Sequence, residues 1–342
     1  MLALHVEDNE AVPAVFEIVA DAGRGDIEEM LFVCIRSVTA EGAEQSTDSD
    51  EGDSGVHGKF RKKLLVKRAG VKETSFMNSN FFRLAVLALL ALWSATLARA
   101  ADPNPVFLYS RNFNAAGEAR YLPDGNFKEL LRRLSQDFDV RANDKPLTAE
   151  TLTGVKVVLI ANPSDKAVEG HPAPHHFEAR DVAALTKFVN GGGALIVLGN
   201  QENHNLETED TNQLLRQFGL RFTNLYTDAK LLPLPSTTPI IGGLKWGYYT
   251  GNQVLIEAKH AAKPRALVMN DLSIKPAKGD RDTPGALLGI AEPGKGRVIV
   301  VTDAGWLADF SFDDTGVGGV SLKGQENWEI FHHLAQWAAQ VK

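Results

Sequence analysis

Imidazoles and carboxylates gather in three polar stretches of this 342-residue chain, at residues 162–176, 200–210 and 303–314. The first holds His171, His175 and His176, the second Glu202, His204, Glu207 and Asp210, and the third Asp303 and Asp309. Such groups together can move protons or ligate a divalent ion. His204, Glu207 and Asp303 are the candidate catalytic residues. His175, His176, Asn200, Glu202 and Trp306 are the candidate ligand-binding residues, and Trp306, Phe310 and Phe312 offer aromatic faces for a sugar ring or a partner. Plainer roles compete with each assignment. His204, Glu207 and Asp210 can orient a loop and cap a helix, Asp303 can cap, and aromatic residues fill cores. No H-E-x-x-H or comparable spacing is present, so no metal or cofactor is expected.

These loops need a scaffold. The stretch Phe177–Gly199 reads FEARDVAALTKFVNGGGALIVLG. Val182, Leu185, Phe188 and Val189 recur at helical spacing, Gly191–Gly193 stops the helix, and Ala194–Leu198 is a short apolar run suited to a strand covered on both faces. Val155–Ala161 upstream is the matching strand. Around this β-α-β unit we expect strands at Val106–Tyr109 and Phe138–Arg141, a helix over Asn126–Gln136 capped by Asp124 or Asn126, and a helical turn at Thr148–Leu152. Asp210 or Thr211 is the expected cap of a helix that ends at Gly219. Beyond it, Leu231–Pro239 is rich in proline, and strands are expected at Val254–Ala258, Ala266–Asn270 and Ala286–Ala291. The turn Glu292–Gly296 joins the last of these to Arg297–Thr302 as a hairpin. Trp328–Ala339 closes the chain as a helix. The fold class is therefore α/β, a mainly parallel sheet flanked by helices, flavodoxin-like or amidotransferase-like, with a β-rich extension. Ligands of such sheets bind beyond the carboxyl ends of the strands, where the three polar loops meet. Gly191–Gly193 precedes a strand, so it is not a phosphate loop.

The amino-terminal hundred residues differ in character. Residues 77–100 carry Arg83, the apolar run Leu84–Trp93 and the A-x-A pair Ala98 and Ala100, the pattern of a secretory signal peptide. The expectation is a secreted or periplasmic bacterial protein that meets the membrane only through its export signal. Residues 1–76 combine an acidic run, Glu41–Asp53, with a basic one, Lys59–Lys72, and read as a disordered or mis-called upstream segment. Residues 101–342 form the expected α/β domain, with a β-rich insertion about 225–295. The formal charge of −7 and the lack of a basic stripe argue against nucleic-acid binding. Cys34 is the sole cysteine and lies upstream of the expected domain.

The segments LTGVKVVLIANP, FEARDVAALTKFVNGGGALIVLG, NQLLRQFGLRF, GKGRVIVVTDAGWLAD and WEIFHHLAQWAA together resemble a class I glutamine amidotransferase-like domain. More narrowly, they resemble its non-catalytic branch, found in uncharacterised bacterial envelope proteins, gliding-motility transporter auxiliaries and ThuA-like proteins. The enzymatic members place a cysteine on an elbow that follows a strand. Here that position reads Gly199, Asn200, Gln201, so the resemblance implies no amidotransferase activity. It implies instead an exported module that binds an envelope protein, or a small-molecule or sugar ligand. The alternative is a hydrolase, with carbohydrate as a substrate class, built on the His/Asp/Glu loops.

Overall fold

The computed structural model describes residues 103–312 and 320–341. The readings for residues 1–76 and 77–100, and the end of the third polar loop, lie outside the described residues. In chain order the elements are β1 (Val106–Ser110), α1 (Lys128–Leu134), β2 (Asp139–Asn143), β3 (Val155–Ala161), α2 (Ala179–Asn190), β4 (Ala194–Leu198) and α3 (Glu209–Arg216). There follow β5 (Leu220–Phe222), β6 (Thr227–Pro233), β7 (Lys245–Gly251), β8 (Val254–Ile256), β9 (Arg265–Met269), β10 (Ala286–Ala291), β11 (Arg297–Val301) and α4 (Asn327–Ala339).

Nine strands form one mixed sheet in the order β2-β1-β3-β4-β11-β10-β8-β5, with β9 also on β10. The β2, β1, β3, β4 and β11 strands run parallel. β10 turns back antiparallel on β11, and β8 and β5 continue that antiparallel end. The result is an α/β architecture built on a mainly parallel, mixed sheet. β6 and β7 stand apart as an antiparallel pair.

Alternation within the central strands assigns each residue a face. Phe107, Tyr109, Val157, Leu159, Ile196, Leu198, Ile299 and Val301 point to one core, which α1, α4 and the β6–β7 pair cover with Leu130, Leu134, Phe331, Leu334 and Trp246. Leu108, Val158, Ile160, Leu195, Val197, Val298 and Val300 point to the other, under Leu185 and Val189 of α2 and Leu214 and Leu215 of α3. β4 is buried along its whole length, which is why its sequence is an unbroken apolar run. β2 is the edge strand at the parallel end of the sheet, and it exposes Asp139 and Arg141, which pair with each other.

Local capping departs from expectation at two helices. Neither Asp124 nor Asn126 caps α1. Phe127 occupies the N-cap, Asn126 Oδ1 accepts from Leu122 N, and the carboxylate of Asp309 accepts from Glu129 N at 2.9 Å. Asp210 and Thr211 lie inside α3, whose first turn is held by Glu207: Oε1 accepts from Asp210 N and Oε2 from Thr211 N, both at 2.8 Å. α2 begins with Asp181 accepting from Glu178 N, and ends at the expected glycines, where Gly192 takes a φ of +116°. Among the described residues no helix is long and apolar enough to cross a membrane.

Candidate functional site

Four of the parallel strands, β1, β3, β4 and β11, end in the loops that matter here, along one edge of the sheet. Gly199, Asn200 and Gln201 follow β4 at the elbow position. Asn200 is 5% exposed; its Oδ1 accepts from Gln201 N at 2.9 Å, its main-chain carbonyl accepts from Asn252 Nδ2 at 2.7 Å, and its Nδ2 faces the Tyr121 hydroxyl at 3.4 Å. The side chain of Gln201 bonds the hydroxyl of Thr250. Among the described residues, then, the elbow offers amides committed to neighbours and no thiol or free hydroxyl.

His204 stands beside it on a short 3-10 turn, Glu202–His204. Because Asn200 Oδ1 already accepts from a main-chain N–H, that atom is an oxygen, and the His204 Nδ1 lying 3.0 Å away must donate to it. The neutral ring therefore keeps its basic lone pair on Nε2. Burial first, then the guanidinium charges of Arg120 and Arg281, lower the pKa of His204 below the usual imidazole value, while Glu118 opposes them weakly. The turn is anchored from β3, since Asn162, in a left-handed conformation at φ +46°, donates from Nδ2 to His204 O at 3.0 Å.

Asp303 follows β11 and is fully buried. Its carboxylate accepts from Tyr249 N at 2.6 Å and Gly305 N at 2.7 Å, with Thr250 N and Trp306 N as further donors. Burial outweighs these donors and raises its pKa to about 7. A carboxylate enclosed by main-chain amides is a fastener between β11 and β7. The approach there is close enough that a Cβ on Gly251 would lie 1.7 Å from Thr302 O. This is where the structure places Asp303, one of the three expected catalytic residues.

The remaining sequence candidates separate. Trp306 is fully buried, edge-on to Trp246 at 5.4 Å and Phe331 at 5.9 Å, so the stacking face expected of it belongs to the core. Phe310 packs on Tyr249, and Phe312 lies under Arg133. Glu207, expected to be catalytic, is 3% exposed and caps α3. His175 is exposed, Glu202 belongs to the 3-10 turn, and Asp309 caps α1. His176 is half-buried; its Nδ1 lies 3.1 Å from Asp210 Oδ2 and its Nε2 3.2 Å from the Asp165 carbonyl. His176, Glu207 and Asp210 bring one potential ligand atom each within 4.8 Å of one another.

Sequence reading missed the residues that close around His204. Glu118, Arg120 and Tyr121 come from the loop after β1. Glu118 is 8% exposed and holds Arg120 by a paired contact, Nε and Nη2 each at 2.8 Å. Arg281 arrives from the β9–β10 connection, fixed by Asp228. The rule that ligand loops follow parallel strands would have found the first group, because residues 111–125 follow β1 as residues 162–176 follow β3.

A family model described as the IFT52 GIFT domain matches residues 112–231. The intraflagellar transport protein 52 homolog of Mus musculus is 25% identical over 112 residues, which is 33% of this chain and 24% of that protein. The chain thus spans about a quarter of the length of the curated relative it matches. The solved mmIFT52 N-terminal domain is 18% identical and superimposes with a TM-score of 0.51, over 68% of this chain and 97% of that domain, a likeness of fold. A ThuA-like protein from Bacteroides uniformis is 11% identical, with a TM-score of 0.41 over 70% of this chain and 94% of that one. These relatives overturn the expected secreted or periplasmic bacterial location, because the sequence-level match is to a mouse intraflagellar transport protein. The export reading rested on an apolar run beside small residues, a compositional pattern in a segment with no described structure.

Proposed function

We propose that this chain is a non-catalytic, amidotransferase-like binding module that takes a protein or small ligand at the carboxyl edge of its parallel strands. One observation carries the reading: the elbow after β4 presents Asn200 and Gln201, both hydrogen-bonded, where a nucleophile would stand. An amide cannot attack a carbonyl, and among the described residues no hydroxyl or thiol hydrogen-bonds the His204 ring. Two of the three expected catalytic groups, Glu207 and Asp303, serve main-chain N–H groups. The likeness of residues 112–231 to the GIFT domain of a transport protein supports a protein partner.

A second reading has its own support. His204 keeps a basic Nε2 close to the charged Glu118–Arg120 pair, and such an imidazole can draw a proton from water. That reading makes the chain a hydrolase, with carbohydrate as a substrate class. Incubating the full chain with glutamine and with a panel of aryl glycosides separates the two. No ammonia and no aryl alcohol are expected. Turnover that disappears in His204→Ala would overturn the binding-module reading in favour of the hydrolase.

A further inference from the structure

The cluster at the start of α3 lies apart from the elbow and is built differently. His176 comes from the loop after β3, and Glu207 and Asp210 from the loop after β4 and the first turn of α3. The Asp165 carbonyl can only accept, so the His176 Nε2 that bonds it at 3.2 Å carries the hydrogen. Nδ1 faces Asp210 Oδ2 from 3.1 Å, so that a single proton or a single cation lies between the two atoms. A backbone carbonyl that fixes one ring nitrogen so that the other is free to ligate is the usual support of a metal-bound histidine.

The two carboxylates are supported in the same manner. Asp210 Oδ1 accepts from Gln213 Nε2 at 2.7 Å, leaving Oδ2 toward the histidine. Glu207 Oε2 takes Thr211 N and Thr211 Oγ1, and among the described residues Oε1 takes Asp210 N alone, so one lone pair of Oε1 remains. One potential ligand atom from each of the three residues already lies within 4.8 Å of the others. Side-chain exposures of 37% for His176 and 28% for Asp210 leave the cluster open to exchange with solvent.

We propose that His176, Glu207 and Asp210 form a binding site for one divalent transition-metal ion, with zinc the best match to one imidazole and two carboxylates. Two anionic oxygens and a neutral nitrogen balance the charge of such an ion, and the remaining coordination positions face water. The site ties the loop after β3 to the first turn of α3. It does not depend on what the elbow binds.

Zinc chloride titrated into the chelator-treated full chain, followed by calorimetry and by thermal melting, tests this. One ion per chain and a raised melting temperature are expected. His176→Gln and Asp210→Asn should each weaken binding by about tenfold or more, the cost usual for disturbed metal surroundings. Asp210→Asn keeps an oxygen for Gln213, so it tests the ligand without removing the helix contact. His175→Ala, one residue away and exposed, should leave binding unchanged. Absence of binding overturns the proposal, as does zinc binding that survives His176→Gln but is lost with His175→Ala.

Discussion

Two buried carboxylates at the same sheet edge do opposite things. Asp303 is enclosed on every side by main-chain amides and fastens β7 to β11. Glu207 is almost as buried but holds only one helix end, and it keeps a lone pair beside an imidazole and a second carboxylate. Around Asp303 the polar groups are main-chain amides that donate to it. Glu207 also takes neutral donors, but His176 and Asp210 stand beside it. A buried carboxylate therefore signals a functional group only when its hydrogen-bonding capacity is not already exhausted.

The largest perturbation of this contrast is Trp306→Ala. It empties the aromatic stack beneath the Asp303 turn and should cost about 3–5 kcal/mol in chemical denaturation. Zinc binding by the folded fraction should be unchanged, which sharpens the separation of the two regions. Next is the pH dependence of Asp303. Its pKa in the fold, about 7, exceeds the ordinary 3.8, so between those values the native state retains a proton that the unfolded chain has released. Its contribution to stability is present at low pH and is lost as pH rises through about 7. Asp303→Asn should flatten that decline in urea titrations at stepped pH. An unchanged slope would show that the four N–H donors, and not burial, control the group.

Glu207→Ala removes the carboxylate that holds the first turn of α3, and about 1–2 kcal/mol of stability should go with it. The zinc site should be lost in the same variant. His204→Ala should be the mildest, about 1 kcal/mol or less by denaturant midpoint, because it deletes one hydrogen bond at a half-buried position. If it destabilises as much as Trp306→Ala, the elbow is a structural core and the binding-module reading fails.

Much of the scaffold could be read from the chain because its signals are contiguous. β3, β4 and β10 match their apolar runs residue for residue, and α2 follows its periodicity from Ala179 to Asn190. The β6–β7 pair could not. β6 includes Lys230, fully buried and held by Asp282 at 2.8 Å and Asn270 at 3.1 Å, and it runs into prolines that signal a loop. Only partners 40 and more residues away make a lysine acceptable there. At the site, the loops bearing Asn200, His204 and Asp303 were foreseeable from strand ends. The cap that Asp309 gives α1 spans 180 residues and has no local trace. Nor does any spacing in the sequence show that Arg281 approaches His204.

The charged edge strand β2 bears on how this protein behaves in company. An open strand edge of apolar residues invites the same edge of another copy, and growth then continues into fibrils. Asp139 and Arg141 meet any such neighbour with charges that would lose their water on contact, so crowding should leave the molecules dispersed. Replacing both with valine would turn this margin of the sheet into a seed for self-association.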